Sequence, residues 1–344
     1  MKGQHRIVVA NNRVHYEFTI RRNITILRGN SATGKTVLIE LITQFANHGS
    51  DSGVTLVCDK PCRVLASDNW KQSLSIIKDS IVFIDEDADF VSSHEFAGTI
   101  QKTDNYYVIV TREDLDSLPY SINEIYEIRE SSRYAGLKQV YNEFHCIYKS
   151  QNKGLLKPDL IITEDSKTGY QFFSSIGIKC ISAQGKSKIA KCICDRKDKC
   201  ILVIADGAAL GSDMTEISQK LKMHEEYTLY APESFEWLLL SADILKHAKE
   251  ISQVLEKPYE YIESQEYFSW ERFFAHYLVE ITARLEDTGE MKGYGYPKDK
   301  SLLPEAYKRE AIVTKVLKEI KGVDFGLPKP KNIAGKTGVF DPEV

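Results

Sequence analysis

The chain has no long hydrophobic run. None of its apolar stretches approaches the roughly 18 residues needed to cross a bilayer, so no membrane partner is expected. The opening stretch MKGQHRIVVANNRV has no secretory apolar core either. Paired cysteine spacing is also missing: the seven cysteines are odd in number and lack the pattern of a small secreted domain, which points to a reducing cytoplasm. Cys180, Cys192, Cys194 and Cys200 lie close in sequence but form no C-x-x-C pair, so buried thiols are expected there rather than a zinc ribbon. An excess of positive charge is lacking too, because the net charge is −4 and global electrostatics do not announce a nucleic-acid binder. Local patches remain. Lys186, Lys188, Lys191, Arg196, Lys197 and Lys199 fall in one stretch, and the segment after Lys292 is lysine-rich. Taken alone, both read as solvated helix faces. There is no internal repeat and no low-complexity tract.

What is present begins at ILRGNSATGKTVLIELI, Ile26 to Ile42. Gly29 is followed by four residues and then by Gly34, Lys35 and Thr36, between a strand-like run, Ile24 to Leu27, and a helical apolar pattern. Glycines let the backbone curl so that successive N–H groups face inward, and the helix N-terminus adds partial positive charge. The spacing therefore predicts a phosphate cradle formed by Gly29, Asn30, Ser31, Ala32, Thr33 and Gly34. Lys35 would bridge the outer phosphates of ATP, and the Thr36 hydroxyl would take one Mg²⁺ position. About fifty residues on, SIVFIDEDADF places Asp85 and Glu86 at the end of a four-residue apolar strand. Asp85 is expected to hold the Mg²⁺ and Glu86 to orient or deprotonate the attacking water. A further strand, Tyr106 to Val110, ends in TRED, where Thr111 or Arg112 is placed to sense the γ-phosphate.

At 344 residues the chain should hold two domains with cores of their own. Strand and helix patterns alternate to about residue 130. The pattern then loosens through an expected helix, LKQVYNEFHCIYKS, and the polar turn QNKG. A second alternating series runs from DLIITED to SFEWLLLSADIL, followed by helical patterns and a Pro/Gly-containing tail. The expectation is an α/β protein with two parallel-sheet αβα domains and a helical C-terminal region. The divisions fall at 1–150, 155–245, 246–325 and, for the tail, 326–344. In the last region Phe273, Phe274, Tyr277, Leu278, Ile281 and Leu285 recur at helical spacing, as a core stripe does; stacking on bases is the alternative. In the second series acids follow strands, where open parallel sheets bind ligands: Glu164 after the first, Asp206 after the third, and Glu233 with Glu236 after the fourth. The same acids could simply cap helices, as Asp165, Ser166 and Ser212 are placed to do.

The first half looks like a phosphate-loop ATPase of the class that includes ABC-type and AAA-type engines. It departs from the ABC type, because only about 45 residues separate Thr36 from Ile81 and no LSGGQ-like string precedes Asp85. The second half resembles the TOPRIM domain of topoisomerases, primases and OLD-family nucleases, at Glu164, at Asp206 in VIADGAALG and at APESFEWLLL. An ATPase half followed by a TOPRIM-like half is the arrangement of OLD-like proteins, many of which defend bacteria against phages. The resemblance implies a Mg²⁺ or Mn²⁺ site at Glu164 and Asp206 that cleaves DNA or RNA, its acids activating water and steadying the leaving oxygen. Where the family carries a second aspartate this chain has Ala208, so Asp213, Glu233, Glu236 or a water would complete the ligand set. Two functions follow: an ATP-regulated nuclease, or a nucleotide-dependent sensor or scaffold whose TOPRIM-like half binds a partner protein and cleaves nothing. A homo-oligomer is expected by analogy with engines that borrow an arginine from a neighbour.

Overall fold

The computed structural model describes residues 1–327 apart from 30–32, 67, 135, 137, 149–154, 195, 197 and 246–247. The tail segment AGKTG and most of the tail's proposed span lie outside the described residues.

The first half comprises β1 (His5–Ala10), β2 (Val14–Ile20), β3 (Ile24–Arg28), α1 (Lys35–His48), β4 (Thr55–Val57), β5 (Cys62–Val64), α2 (Trp70–Ile76), β6 (Ile81–Ile84), α3 (His94–Ile100), β7 (Tyr106–Val110), β8 (Ile125–Glu130) and β9 (Val140–Cys146). These strands form one nine-stranded sheet in the order β4-β1-β2-β9-β8-β3-β7-β6-β5. From β8 to β5 all pairings are parallel. Strands β3, β6 and β7 are buried along their whole length, which is why β6 and β7 read as unbroken apolar runs rather than alternating ones. Each fully buried Ile or Val contributes about 1.5–3 kcal/mol.

Two elements depart from the expected pattern. The segment expected as a helix across residues 137–150 contains strand β9, antiparallel to β8 and parallel to β2. Phe144 stacks on Phe18 of β2 with ring centroids 3.9 Å apart. Six of the seven β9 residues are half-buried, so neither a period of two nor one of 3.6 stands out, and aromatic pairing with β2 decides the outcome. The hairpin β1–β2 has no clear signal in the pattern; Asn11 makes its turn, accepting through Oδ1 from the Arg13 and Val14 N–H groups at 2.8 and 2.9 Å.

The second half comprises β10 (Leu160–Thr163), α4 (Thr168–Ser174), β11 (Lys179–Ser182), α5 (Ile189–Cys194), β12 (Ile201–Ile204), α6 (Met214–Lys222), β13 (Tyr227–Tyr230), α7 (Phe235–Ser241), α8 (Ile251–Glu256), α9 (Trp270–Asp287) and α10 (Glu310–Glu319). Its sheet is wholly parallel, in the order β11-β10-β12-β13. The chain is thus α/β, with a large mostly parallel sheet, a second parallel sheet and additional helices. Helices α7 to α10 share one core with a face of the second sheet, and Phe273, Phe274, Leu278, Ile281 and Leu285 of α9 lie inside it. Base stacking by those residues is thereby closed off. The cysteines behave otherwise than expected: Cys194 is exposed and Cys180, Cys192 and Cys200 are only half-buried; on α5, Ile189, Ala190 and Ile193 turn inward in place of Cys192 and Cys194.

The halves meet through buried charge. Arg22, just before β3, gives Glu233 a bidentate pair at 2.6 and 2.8 Å, sits 3.4 Å from Glu124, and lies over the Trp270 ring at 3.6 Å. Burial pushes the Glu124 carboxyl up to about 7 against the pull of Arg22. Removing Arg22 would leave the buried Glu124 and the half-buried Glu233 without their cation. Arg22→Ala is expected to cost about 3–5 kcal/mol of stability, read in a urea unfolding curve; a loss under 1 kcal/mol would show that the network is solvated.

Candidate functional site

Two groups of side chains form at the strand ends. The first surrounds Lys35. Strand β3 delivers Gly29 with φ of 129°, and Gly34, with φ of 90°, leads into α1, whose N-terminus carries no side-chain cap and no acid in its first turn. Gly34 must be glycine: the Tyr16 hydroxyl donates to its carbonyl at 2.9 Å, and a Cβ there would come within 2.7 Å of that hydroxyl. Lys35 is 5% exposed. Its Nζ donates to the Gly29 carbonyl at 2.8 Å and to Thr33 Oγ1 at 3.2 Å. Asn30, Ser31 and Ala32 lie outside the described residues.

The sheet order explains which other residues join Lys35. Strand β7 stands between β3 and β6, so the segment after β7 lies between the glycine loop and the acidic pair after β6. Arg112 ion-pairs with Glu86, and the Glu86 N–H donates to Asp85 Oδ1 at 2.8 Å. Burial pulls the Lys35 ammonium below its ordinary value; Glu86 opposes that shift, Arg112 adds to it and Asp85 opposes it. Gly29, Thr33, Gly34, Lys35, Thr36, Asp85, Glu86 and Arg112 are therefore neighbours across the ends of three strands. Thr111 shapes the turn that follows β7, its buried Oγ1 accepting the Glu113 N–H at 3.0 Å.

The second group surrounds Glu164 and Asp206, at the ends of the adjacent parallel strands β10 and β12. Glu164 Oε2 accepts the Asp206 N–H at 2.9 Å, and Asp206 Oδ1 accepts the Phe235 N–H at 3.0 Å. Glu164 Oε1 and Asp206 Oδ2 have no hydrogen bond among the described residues. Glu236, on α7, is 1% exposed; it accepts from the Tyr296 hydroxyl at 2.8 Å and pairs with Lys300 at 3.2 Å. Lys300 also reaches Glu271 of α9 at 3.4 Å. Burial, with Glu271 and Asp165 nearby, raises the Glu164 carboxyl to about 7. Asp206 is raised well above its ordinary value, by burial first and then by Glu271, Glu164 and Glu236, with Lys300 opposing.

The other acids are engaged elsewhere. Asp213 pairs with Lys186 at 3.1 Å, and Glu233 is held by Arg22. Asp165 caps α4, accepting the Gly169 and Tyr170 N–H groups at 3.1 and 3.0 Å. Ala208 is buried in the core. Among the described residues, no group of three or more His, Cys, Asp or Glu side chains is placed to hold a metal ion. Glu271, Tyr296 and Lys300 escape a reading of the sequence, because they come from the helical region and share no local motif with Glu164. The only available signal is Glu271, an acid in the first turn of a strongly patterned helix.

The two groups are connected. Arg28, the last residue of β3, donates to Thr215 Oγ1 of α6 at 2.9 Å and to the Tyr120 hydroxyl at 2.9 Å, and pairs with Asp114 at 2.6 Å. The segment after β7 docks on the loop after β12: the Ile122 N–H donates to the Gly207 carbonyl at 3.0 Å and the Gly211 N–H to the Tyr120 carbonyl at 2.9 Å. A Cβ on Gly211 would lie 2.3 Å from the Tyr120 ring, so this contact is backbone against ring with no slack. Asp206 is thus one residue from a loop anchored to the Arg112 segment. No protein-family model matches the chain, and a search of curated proteins finds no match.

Proposed function

We infer that the chain is a phosphate-loop ATPase whose nucleotide state regulates an acidic, Mg²⁺-dependent site that cleaves a phosphodiester in nucleic acid, in the manner of OLD-like defence proteins. The reading rests on one observation above all: the Lys35 group and the Glu164–Asp206 group are joined by direct hydrogen bonds between the loops that follow β7 and β12. Gly29 to Gly34 would cradle the phosphates of ATP, with Lys35 on the outer ones. Thr36 and Asp85 would hold the nucleotide's Mg²⁺, and Glu86, released from Arg112, would orient water.

The second site suits a hard cation in chemistry, if not in ligand number. Glu164, Asp206, Glu236 and Glu271 face one another with Lys300 as the positive charge that bonds two of them, and Glu164 and Asp206 each keep one carboxylate oxygen with no hydrogen bond among the described residues. A bound Mg²⁺ would polarise the phosphodiester and acidify a water. Lys300, fixed by Glu236 and Glu271, adds a positive charge beside the developing oxyanion. Glu236 acts here as the anchor of Lys300, and Asp213 and Glu233 as structural ion pairs.

The second reading, a nucleotide-dependent scaffold that binds a partner protein, is favoured by Ala208 and by the shortage of a third ligand. Incubating the protein with plasmid DNA and with RNA, with and without ATP, Mg²⁺ and Mn²⁺, separates the two. The nuclease reading expects metal-dependent nicking of at least one substrate. Intact nucleic acid under every condition gives the scaffold reading the lead.

A further inference from the structure

Strands β4 and β5 occupy the opposite edges of the nine-stranded sheet, yet only residues 58–61 separate them in sequence. The sheet therefore curls until its edges approach, with α1 touching β1, β4 and β5 on the inside. The seam is closed by the turn Cys58-Asp59-Lys60-Pro61-Cys62. Cys58 follows one edge strand and Cys62 opens the other, and the Cys62 thiol donates to the Lys60 carbonyl at 3.9 Å. Cys58 is half-buried and reachable from solvent, whereas Cys62 is buried. The Lys60 N–H points at Cys58 Sγ from 3.5 Å. Asp59, which also accepts from Cys58 at 3.6 Å, is tied to the buried His5 ring at 2.9 Å, fixing the turn.

We propose that Cys58 and Cys62 form a peroxide-sensitive dithiol that closes to a disulfide across the sheet seam. Cys58 is the attacking sulfur. The neighbouring Cys62 thiol and the Lys60 N–H hold its pKa below the ordinary thiol value against burial and Asp59, whereas the Cys58 sulfur and burial raise that of Cys62. The Cys58 thiolate attacks a hydroperoxide, the O–O bond breaks, and Cys58 becomes a sulfenic acid while hydroxide leaves. The Cys62 thiol then attacks the Cys58 sulfur. An S–S bond forms, the S–O bond breaks, and the sulfenic oxygen departs as water with the Cys62 proton. Two thiols are oxidised and one peroxide is reduced. Both sulfurs bond the backbone of Lys60, Cys58 accepting its N–H and Cys62 donating to its carbonyl, so the roughly 2.05 Å bond closes within one short turn.

The disulfide would fasten the two sheet edges around α1, the helix that begins at Lys35. The test is titration of the folded full-length chain with a small molar excess of hydrogen peroxide, followed by thiol counting and peptide mapping. The expected result is loss of two of the seven titratable thiols, a mass decrease of about 2 Da, as two-electron thiol oxidation requires, a Cys58–Cys62 linked peptide, and recovery with dithiothreitol. Cys62→Ser should instead leave a sulfenic acid on Cys58, trapped by dimedone, and Cys58→Ser should abolish the fast phase. Oxidation that begins at another cysteine, or a Cys58 that stops at sulfenic acid in the unmutated chain, overturns the proposal. None of these readouts depends on ATP or nucleic acid.

Discussion

Lys35→Ala is expected to lose ATP binding by roughly ten- to 150-fold, the equivalent of the ~1.5–3 kcal/mol of a hydrogen bond to a charged group, and to lose hydrolysis with it. Lys35 is buried and its Nζ lies 2.8 Å from the Gly29 carbonyl, so it spans the mouth of the loop that the phosphates would enter. Its described bonds run to the Gly29 carbonyl and Thr33 Oγ1 of the loop rather than to a neighbouring strand, so the sheet is expected to stay intact in the variant. Calorimetric titration of ATP into both proteins, with circular dichroism as the folding control, is the measurement. Unchanged affinity in the alanine variant would mean that nucleotide, if bound, sits elsewhere.

Glu164→Gln is the second large effect. It keeps the shape of the side chain and removes the charge on one of the two oxygens best placed for a cation, so metal-dependent cleavage should fall by at least ~10³-fold, about 4 kcal/mol of barrier. The same residue sets a pH dependence. A carboxyl raised to about 7 in the folded chain, against about 4.3 unfolded, binds its proton more tightly when folded. Its contribution to stability is complete below about pH 4 and is lost as pH rises through about 7. Without metal, the melting temperature should decline between pH 5 and pH 8. Mg²⁺ should restore a few degrees at pH 8 and little at pH 5, where the cation must displace a proton. Glu164→Gln should reduce the first trend, which the raised carboxyls of Glu124 and Asp206 share, and flatten the second. A Mg²⁺ effect of equal size in the glutamine variant would place the ion at another site.

Local chemistry makes part of this legible. The run from Ile24 to Thr36 carries its own strand, turn glycines and helix, and the apolar strands ending at Ile84 and Val110 are buried on both faces, so their type is written in the sequence. The alternation from Leu160 to Ser241 marks the second sheet for the same reason. Strand β9 reads as a helix because its residues are half-buried on both faces and owe their conformation to Phe18 and β8. The Arg22–Glu233 pair joins residues 211 positions apart, and Lys300 reaches Glu236 across 64. Such partners are fixed by packing of α9 and its following loop on the second sheet, which no window of sequence contains. The acids at 213 and 233 look available in sequence because their counter-ions, Lys186 and Arg22, come from other elements.

The central claim is that nucleotide at Lys35 alters the chemistry at Glu164 and Asp206 through the docked loops after β7 and β12. Its most direct test is the rate of Mn²⁺-supported nucleic-acid cleavage as ATP is titrated from zero to saturation. The account predicts a several-fold change in rate whose midpoint coincides with the ATP dissociation constant measured by calorimetry. A rate that stays flat across the titration, while ATP demonstrably binds, would contradict it.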